Sequence, residues 1–576
     1  MMLISKILDR LAREYWDLRL LADPIEATFL GERGQDHRLP DVTEAGREFV
    51  ISALQSMIER TRAIDAAALS RSEWVTHRAL LDELQNDLAV RSENLGAWTV
   101  DPRGGPHVRL MNIAEIQRPT TAEQAEALVA RWRAMGAYID DHTENLRRSI
   151  AEGKLPTAGA TARVIEQLDE LLQKPDAEWM LSAPARAELP DLPEASREML
   201  RKGVEEAIKN AIRPAFQRYR DALAAEALPR GRDDDRVGLK NVPGGEATYR
   251  RMIEVHTSLP LTAEAIHAIG VEQNALIRAE MIELGERLFG TADFPEIQRR
   301  LRTDPALFFT SRDEVEAKAR AALDLANREF PKWFGRAPRT PCRVKRIEPY
   351  EEVDNTIAYY LPPAADGSRP GTYYVNTYAP ETRPRYEAEV LAFHEAVPGH
   401  HSQIAIAQEL EGIPAFRKHA GVTAYVEGWA LYTERLAGEM GLYSSDLDRM
   451  GMLSFSAWRA SRLVVDTGIH AMGWSRGRAV DYMMANTILA ENNVIVEVDR
   501  YINWPGQALA YKLGELEMFR LRGEAERRLA GRFSVQRFHD VVLENGAVSL
   551  PVLRDLIERF IEDESARPSI ATAKDY

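Results

Sequence analysis

The residues best suited to metal chemistry lie in one short segment, 391–403, which reads LAFHEAVPGHHSQ. It holds three of the chain's 12 histidines, His394, His400 and His401, together with Glu395. In the zincin motif HExxH, two histidines on one helix face bind zinc, and the glutamate beside the first activates water. Here four residues separate Glu395 from the next histidine, so the strict motif is absent.

The wider spacing requires a distorted helix if two histidines are to share one ion. On a regular helix His394 and His401 would lie about 10.5 Å apart along the axis, and His394 and His400 would point in different directions. Pro398 and Gly399 supply a distortion, because proline disrupts the preceding turn and glycine lets the backbone fold back. We therefore expect His394 and either His400 or His401 as ligands, with His400 favoured.

A third ligand is expected from a second helix, 423–437, which reads TAYVEGWALYTERLA. Glu427 follows His394 by 33 residues, a distance over which an antiparallel helix can return a carboxylate. Glu434 lies on the same helix face and is expected to support a ligand. The sequence thus predicts one zinc ion per chain, held by His394, His400 and Glu427, although cobalt or manganese can occupy such a site.

With a metal in place, the chemistry expected is hydrolysis of an amide. Glu395 is the predicted general base, which takes a proton from the attacking water and delivers it to the leaving amine. A donor must also stabilise the oxyanion of the tetrahedral intermediate.

Two later segments hold candidates for the oxyanion and for the substrate. Arg459, Arg462, Asp466 and His470 form one polar stripe on an otherwise apolar helix. We expect His470 to donate to the oxyanion and Arg459 or Arg462 to bind a substrate carboxylate, whereas an exposed ladder of ion pairs is the alternative.

The segment 500–514 adds Tyr511, a candidate oxyanion donor, and Gln507, four residues earlier, a candidate substrate ligand. An ordinary core tyrosine is the alternative for Tyr511. Tyr373 and Tyr374 are also candidates for substrate binding, because their strand, 371–376, could pair as an edge strand with an extended peptide. A purely structural edge is the alternative there.

The elements that must position these residues are mostly helices. Helical periodicity runs from Leu3 to about Pro331, with long helices over 121–151 and 198–225, the second kinked or split at Pro214. Helical patterns return from Arg385 to the C-terminus.

Between them, the short β-branched or aromatic runs 343–347, 356–361 and 371–377 predict a small sheet. The fold class is therefore mainly α, with one small β-sheet before the metal-binding helix. We expect an N-terminal helical region, 1–340, and a catalytic region, 341–576, within one continuous structural unit.

Composition excludes several classes of protein. Hydrophobic residues make up 45% of the 576, enough for a large buried core. The net charge of −15 argues against nucleic acid as a partner, and no apolar run approaches the length of a membrane span. A single cysteine, Cys342, rules out an intramolecular disulfide and a multi-thiolate zinc site. With no pattern of a signal peptide, a cytoplasmic location is expected, and the oligomeric state stays open.

Four blocks, FHEAVPGHH, YVEGWALYTE, RLVVDTGIH and WPGQALAYKLG, resemble the bacterial "domain of unknown function 885" family. Tyr15-Trp16-Asp17 and Pro243-Gly244-Gly245 with Tyr249 are similar to the family as well. The resemblance implies a zincin-like metallopeptidase of the gluzincin type, in the broad group of thimet oligopeptidase, angiotensin-converting enzyme and dipeptidyl peptidase III. The last of these has an expanded motif, HExxxH.

The resemblance also implies roles for residues. It points to His394, His400 and Glu427 as ligands and to Glu395 as the base, with Tyr511 or His470 as the oxyanion partner. Many members of the family carry secretion or lipoprotein signals.

Three functions remain in view. The leading hypothesis is a zinc-dependent peptidase that hydrolyses short peptides, as a carboxypeptidase or dipeptidyl carboxypeptidase. A second is a metal-dependent amidohydrolase that acts on a small modified amino acid or another small amide. A third is a non-catalytic helical binding scaffold, in which the histidine-rich turn is structural.

Overall fold

The computed structural model describes residues 2–349, 352, 357–364 and 369–567. Its first part is built of helices, as the apolar periodicity predicts. They are α1 (Met2–Ala22), α2 (Pro24–Phe29), α3 (Glu44–Arg62), α4 (Arg71–Glu93), α5 (Pro106–Ile116), α6 (Ala122–Ala151), α7 (Ala158–Gln173), α8 (Ala183–Arg186), α9 (Glu194–Ala207), α10 (Arg213–Ala222), α11 (Gly245–Thr257), α12 (Ala263–Phe289), α13 (Phe294–Thr303) and α14 (Arg312–Glu329).

The second part of the chain is helical again after a small sheet. Its helices are α15 (Ala388–Glu395), α16 (His400–Gln408), α17 (Ala415–Lys418), α18 (Thr423–Glu439), α19 (Asp446–His470), α20 (Arg476–Asn486), α21 (Glu491–Asn503), α22 (Leu509–Leu529), α23 (Val535–Leu543) and α24 (Leu550–Ala566). The prediction of a mainly α fold is confirmed. Among the described helices, none is both long enough and apolar enough to cross a lipid bilayer.

Both long helices predicted for the first part are present. The first, α6, begins where Thr121 accepts a hydrogen bond from the backbone N–H of Gln124 at 3.2 Å, an N-cap that satisfies a free helix donor. The second is divided into α9 and α10 by a π-helical turn, Ile208–Ile212. The division falls just before Pro214, because proline has no N–H to continue the α-helical ladder.

The small sheet has three strands, β1 (Cys342–Arg346), β2 (Ala358–Leu361) and β3 (Gly371–Val375), in the order β1-β3-β2. β3 pairs in parallel with β1 and antiparallel with β2. The three predicted strands are therefore present with shifted ends, and Thr356, the first residue of the second prediction, lies outside the described residues. The expectation of an edge strand over 371–376 is wrong, because neighbours occupy both sides of β3.

The largest hydrophobic core joins the first helices of the chain to its C-terminal half. It contains buried side chains from Leu8 in α1 to Ile561 in α24, and Phe393 of α15 lies within it. A second core lies entirely within the N-terminal helices, between Ile25 and Ala227. The boundary drawn at residue 340 thus does not separate the packing of the largest core.

Two glycines bring α18 and α22 into direct backbone contact. A Cβ atom on Gly428 would lie 2.5 Å from the Cα of Gly514, and one on Gly514 would overlap the carbonyl oxygen of Ala424. Only glycine allows backbones to approach this closely. The crossing fixes the relative position of the residues that precede the glycines, Glu427 on α18 and Tyr511 on α22.

We expect Gly428→Ala or Gly514→Ala to lower the free energy of unfolding by about 1–3 kcal/mol, because the added methyl group forces the two helices apart. Gly523→Ala, also on α22, is the matched control. No described atom lies within 4 Å of its added Cβ, so it should raise helix stability by about 0.5–1 kcal/mol. Chemical denaturation measures all three, and equal effects at the three positions would contradict the close crossing.

Candidate metal centre

Three side chains converge at the junction of α15, α16 and α18. The Nε2 atoms of His394 and His400 lie 3.9 and 3.6 Å from Oε2 of Glu427. The ligand atoms of all three residues lie within 4.8 Å of one another. The structure therefore brings together the three residues predicted as metal ligands.

A tight turn between α15 and α16 returns the second histidine. α15 ends at Glu395, α16 begins at His400, and the backbone N–H of His401 donates to the carbonyl of Ala396 at 3.1 Å. Gly399 packs against the backbone so closely that a Cβ atom there would overlap the carbonyl oxygens of Phe393 and His394. This is the local fold-back that the Pro-Gly pair predicts.

The same turn directs the side chain of His401 away from the cluster. Its Nδ1 lies 2.9 Å from the hydroxyl of Tyr360, and its Nε2 lies 3.0 Å from the carbonyl oxygen of Thr340. With both ring nitrogens bonded elsewhere, His401 joins the helix to the sheet region. Of the two alternatives left open by the spacing, the geometry favours His400.

Glu434 orients the first histidine. Nδ1 of His394 donates to Oε1 of Glu434 at 2.8 Å, which leaves Nε2 free to face Glu427. A carboxylate behind a ligand histidine fixes its tautomer and ring orientation. The supporting role predicted for Glu434 from its position seven residues after Glu427 agrees with this contact.

Burial and charge set the protonation of the cluster. Burial and the neighbouring His400 hold the pKa of His394 well below its usual value, so its ring is neutral, as a ligand requires. Burial opposes ionisation of Glu427, but the close approach and charge of His400 outweigh it and lower the pKa of Glu427 to about 2. The cluster thus offers a neutral imidazole and a carboxylate.

These residues fit zinc by donor type and by spacing. Ligands about 2.0–2.1 Å from a tetrahedral ion lie about 3.4 Å from one another. The two separations from Glu427, 3.6 and 3.9 Å, need only small adjustments to reach this. Two imidazoles and one carboxylate also leave a fourth position for water, which is the arrangement of catalytic zinc sites.

Glu395 lies beside the cluster at the last residue of α15. Burial raises the pKa of its carboxyl to about 7, and the charge of His400 opposes the rise. A carboxyl group that titrates near neutrality is suited to accept and return a proton. Burial and then the charge of Glu395 raise the pKa of the phenol of Tyr373 in β3. Because the charge of Glu395 acts on this phenol, Tyr373 lies near Glu395.

Tyr511 approaches the cluster from α22. Its phenol lies close enough to Glu427 for the charge of that carboxylate to act on it, and its ring lies 4.3 Å from the guanidinium carbon of Arg462. Burial and the charge of Glu427 raise the pKa of Tyr511, so the phenol keeps its proton. Gln507, predicted to bind substrate, accepts a hydrogen bond from Arg500 at 3.2 Å. Its role in substrate binding stays a prediction.

The polar stripe on α19 is buried, so the alternative of an exposed ladder of ion pairs is wrong. Arg459 and Arg462 are 4% and 3% exposed. Nε and Nη1 of Arg459 and Nη1 of Arg462 are buried without a hydrogen-bond partner among the described residues. The charges of both arginines contribute to the lowered pKa of His394, which places them near the cluster.

The other two residues of the stripe, Asp466 and His470, make structural contacts. For His470 these contacts contradict the expected role as an oxyanion donor. Nδ1 of His470 accepts a hydrogen bond from the backbone N–H of Leu239 at 3.2 Å, and Nε2 donates to the carbonyl oxygen of Tyr501 at 2.9 Å. Both ring nitrogens are used, so His470 has no donor left for an oxyanion. Asp466 accepts from the hydroxyl of Tyr249 at 2.6 Å.

The two tyrosines of β3 lie on opposite faces of the sheet, because side chains alternate along a strand. Tyr373 is buried on the face of the core. Tyr374 instead stacks on Tyr359 with ring centroids 4.8 Å apart, and the ammonium of Lys345 lies 5.7 Å from its ring centre. The structure therefore leaves Tyr373 near Glu395 and places Tyr374 away from the metal cluster.

Sequence reasoning missed the residues that hold the arginines. Glu497 of α21 accepts from Arg462 at 3.0 Å and from Arg500 at 2.9 Å, and the hydroxyl of Tyr501 accepts from Arg462 at 2.9 Å. The spacing of Glu497 and Tyr501, four residues apart on one helix, was the available signal. It did not reveal that α21 packs on α19.

Comparisons with known proteins agree with this architecture. The model of a family described as "Bacterial protein of unknown function (DUF885)" matches residues 24–557. A solved structure described as "the putative lipoprotein from Colwellia psychrerythraea" is similar, with a TM-score of 0.90 and 26% identity, over 97% of this chain and 99% of that chain. Another, described as "a putative lipoprotein of unknown function from Shewanella oneidensis", shares the fold, with a TM-score of 0.73 and 18% identity, over 96% and 99% of the two chains. No curated protein gives a significant match.

We expect His400→Ala to lose stoichiometric zinc, because it removes one of three converging ligands. His401→Ala is the matched control on the next residue and should keep zinc, since its ring bonds to Tyr360 and Thr340. Metal content of the purified variants after zinc loading and desalting distinguishes them. Loss of zinc from the His401 variant alone would reverse the ligand assignment.

Proposed function

This chain belongs to the DUF885 family of bacterial proteins, and we propose that it is a zinc-dependent peptidase that hydrolyses short peptides. One observation carries the proposal: His394, His400 and Glu427 converge with ligand atoms within 4.8 Å of one another. Glu395 lies beside them, and Glu434 supports His394 at 2.8 Å. A scaffold without chemistry has no need to bury this set of charges together.

The reaction follows from the groups around the cluster. Zinc, when bound, lowers the pKa of a water molecule and polarises a carbonyl group. Glu395 takes the proton of the attacking water and passes it to the leaving amine, for which a pKa of about 7 is well suited. Tyr511 keeps its proton and donates a hydrogen bond to the oxyanion that forms.

The arginines of α19 support an exopeptidase that acts on a free carboxyl terminus. Arg459 and Arg462 hold three buried nitrogen atoms that have no partner among the described residues. An unpaired buried donor is costly, and a carboxylate is the group that guanidinium binds most strongly. A peptide whose terminal carboxylate meets Arg459 would place a nearby amide at the cluster, as in a carboxypeptidase or dipeptidyl carboxypeptidase.

The cellular location of the protein is a question separate from its reaction. The similar structure from Colwellia psychrerythraea, 26% identical to this chain, is described as a "putative lipoprotein". That description favours a lipid-anchored location for this chain over the cytoplasmic one expected from the sequence. Fractionation of cells into cytoplasm, membrane and periplasm separates the two.

Glu395→Gln should abolish turnover while zinc is retained, because the amide cannot accept a proton and the residue is not a ligand. We expect kcat to fall by about 100-fold to 10,000-fold. The measurement is hydrolysis of a mixed peptide library, with the zinc content of the variant determined in parallel. Normal turnover by this variant would refute the mechanism.

The same library decides between the function classes. A chelator should stop cleavage, and added zinc should restore it. Cleavage of small amides from a metabolite panel, with no cleavage of peptides, would favour an amidohydrolase. Zinc-loaded protein that cleaves neither peptides nor small amides would contradict the proposal. A chain that never takes up zinc would favour the non-catalytic helical scaffold.

Arg459→Met should lower kcat/KM for peptides with a free carboxyl terminus by about 10-fold to 100-fold, the value of a lost charge-assisted hydrogen bond. Peptides amidated at that terminus should be poor substrates for the unmodified protein and change little in the variant. Arg449→Met, on the exposed face of α19, is the control. An equal loss on free and amidated peptides would contradict carboxylate recognition by Arg459.

A further inference from the structure

An apolar cavity lies between strand β3 and helices α14 and α15. Most of its wall is hydrocarbon, and the residues used below are Phe309, Val315, Ala319, Tyr373 and Leu391. The cavity is outside the set of residues that holds the metal ligands, and neither the metal chemistry nor the arginines account for it.

The cavity is adjacent to the reacting groups. Leu391 precedes Glu395 by four residues on α15, so the two side chains lie on one helix face about one turn apart. Tyr373 joins the two regions, because it lines the cavity and the charge of Glu395 acts on its phenol. A substrate whose amide lies at Glu395 therefore has this cavity about one helical turn away, within the length of a neighbouring side chain.

The far end of the cavity contains polar groups that already have partners. Asn376 donates to the carbonyl oxygen of Glu352 at 2.7 Å and accepts from the N–H of Tyr378 at 3.0 Å. Glu387 accepts from the hydroxyl of Ser454 at 3.2 Å, and Arg383 donates to the carbonyl oxygen of Tyr378 at 3.2 Å. The hydrocarbon wall is what remains for an occupant to contact.

The size of the cavity limits the occupant. The space that the centres of water molecules can occupy in the cavity is about 40 Å³. This is enough for about three water molecules. Three waters take up about 90 Å³ of liquid, close to the volume of a branched aliphatic side chain of four carbons. An aromatic ring or a charged side chain is a poorer match for a space of this size and lining.

We infer that this cavity is a specificity pocket, which receives a leucine-sized apolar side chain from the substrate residue next to the scissile amide. The inference rests on the proposed function for its reaction, but the pocket itself is a binding site that can be tested without turnover. Burial of a branched side chain in such a pocket separates leucine from glycine by tenfold or more.

Ala319→Leu tests the pocket by filling it from α14, where Ala319 is 1% exposed and lines the cavity. We expect the ratio of kcat/KM for leucine-containing over glycine-containing peptides of one sequence to fall at least tenfold. Ala322→Leu is the matched control, because Ala322 is buried on the same helix without lining the cavity. An unchanged ratio in a folded Ala319 variant would overturn the inference.

If Ala319→Leu prevents folding, Leu391→Ala tests the pocket by enlarging it instead. The enlarged pocket should shift the preference from leucine towards phenylalanine by about tenfold. A preference that stays with leucine would count against the assignment.

Binding separates this inference from the proposed reaction. In calorimetry with zinc-loaded Glu395→Gln protein, the dipeptide alanyl-leucine should bind at least tenfold more tightly than alanyl-glycine, and Ala319→Leu should remove the difference. A protein that shows this difference but hydrolyses no peptide would keep the pocket and refute the peptidase. A protein that hydrolyses peptides without any such difference would keep the peptidase and refute the pocket.

Discussion

The site depends on one constraint, the close contact of Gly399 with the carbonyl groups of Phe393 and His394. Because of it, α15 stops at Glu395, the chain reverses, and α16 starts at His400, within 3.6 Å of Glu427. A longer side chain at 399 would hold the two helices apart and move the second histidine out of range. The expanded spacing of the histidines is therefore a turn inserted into a helix, which keeps the residues predicted as ligands close together.

The helices around that turn bury several charged side chains, and each of these charges is stabilised by another. Glu434 supports His394 and lies 3.8 Å from Arg459, while Glu497 holds Arg462. Removal of one partner from such a network leaves another buried charge uncompensated. The protonation of the cluster is thus a property of four packed helices, α15, α16, α18 and α19, more than of any single residue.

The sequence was a good guide where chemistry is local. The fold-back at the Pro-Gly pair, the convergence of His394, His400 and Glu427, and the helical class could all be predicted, since each follows from residue type and spacing. Tertiary packing decided the rest. The central place of β3 in the sheet and the double hydrogen bonding of His470 depend on partners, such as Leu239, that lie more than 200 residues away in the chain. Periodicity along one helix carries no information about such partners.

Two guanidinium nitrogens of Arg459, Nε and Nη1, have no hydrogen-bond partner in the part of the chain that the structure describes, and the guanidinium carbon lies 4.2 Å from the ring centre of Trp458. This has a consequence for how the protein can evolve or be engineered. An aliphatic side chain in that place would remove a desolvated cation but would leave the buried carboxyl group of Glu434, 3.8 Å away, without its partner. Only replacement of both residues by apolar side chains would leave a better-packed interior. Selection for thermal stability alone should therefore discard this arginine only together with Glu434, whereas selection for the proposed function should retain both. The pair thus sets the stability of the core against the proposed function of the site.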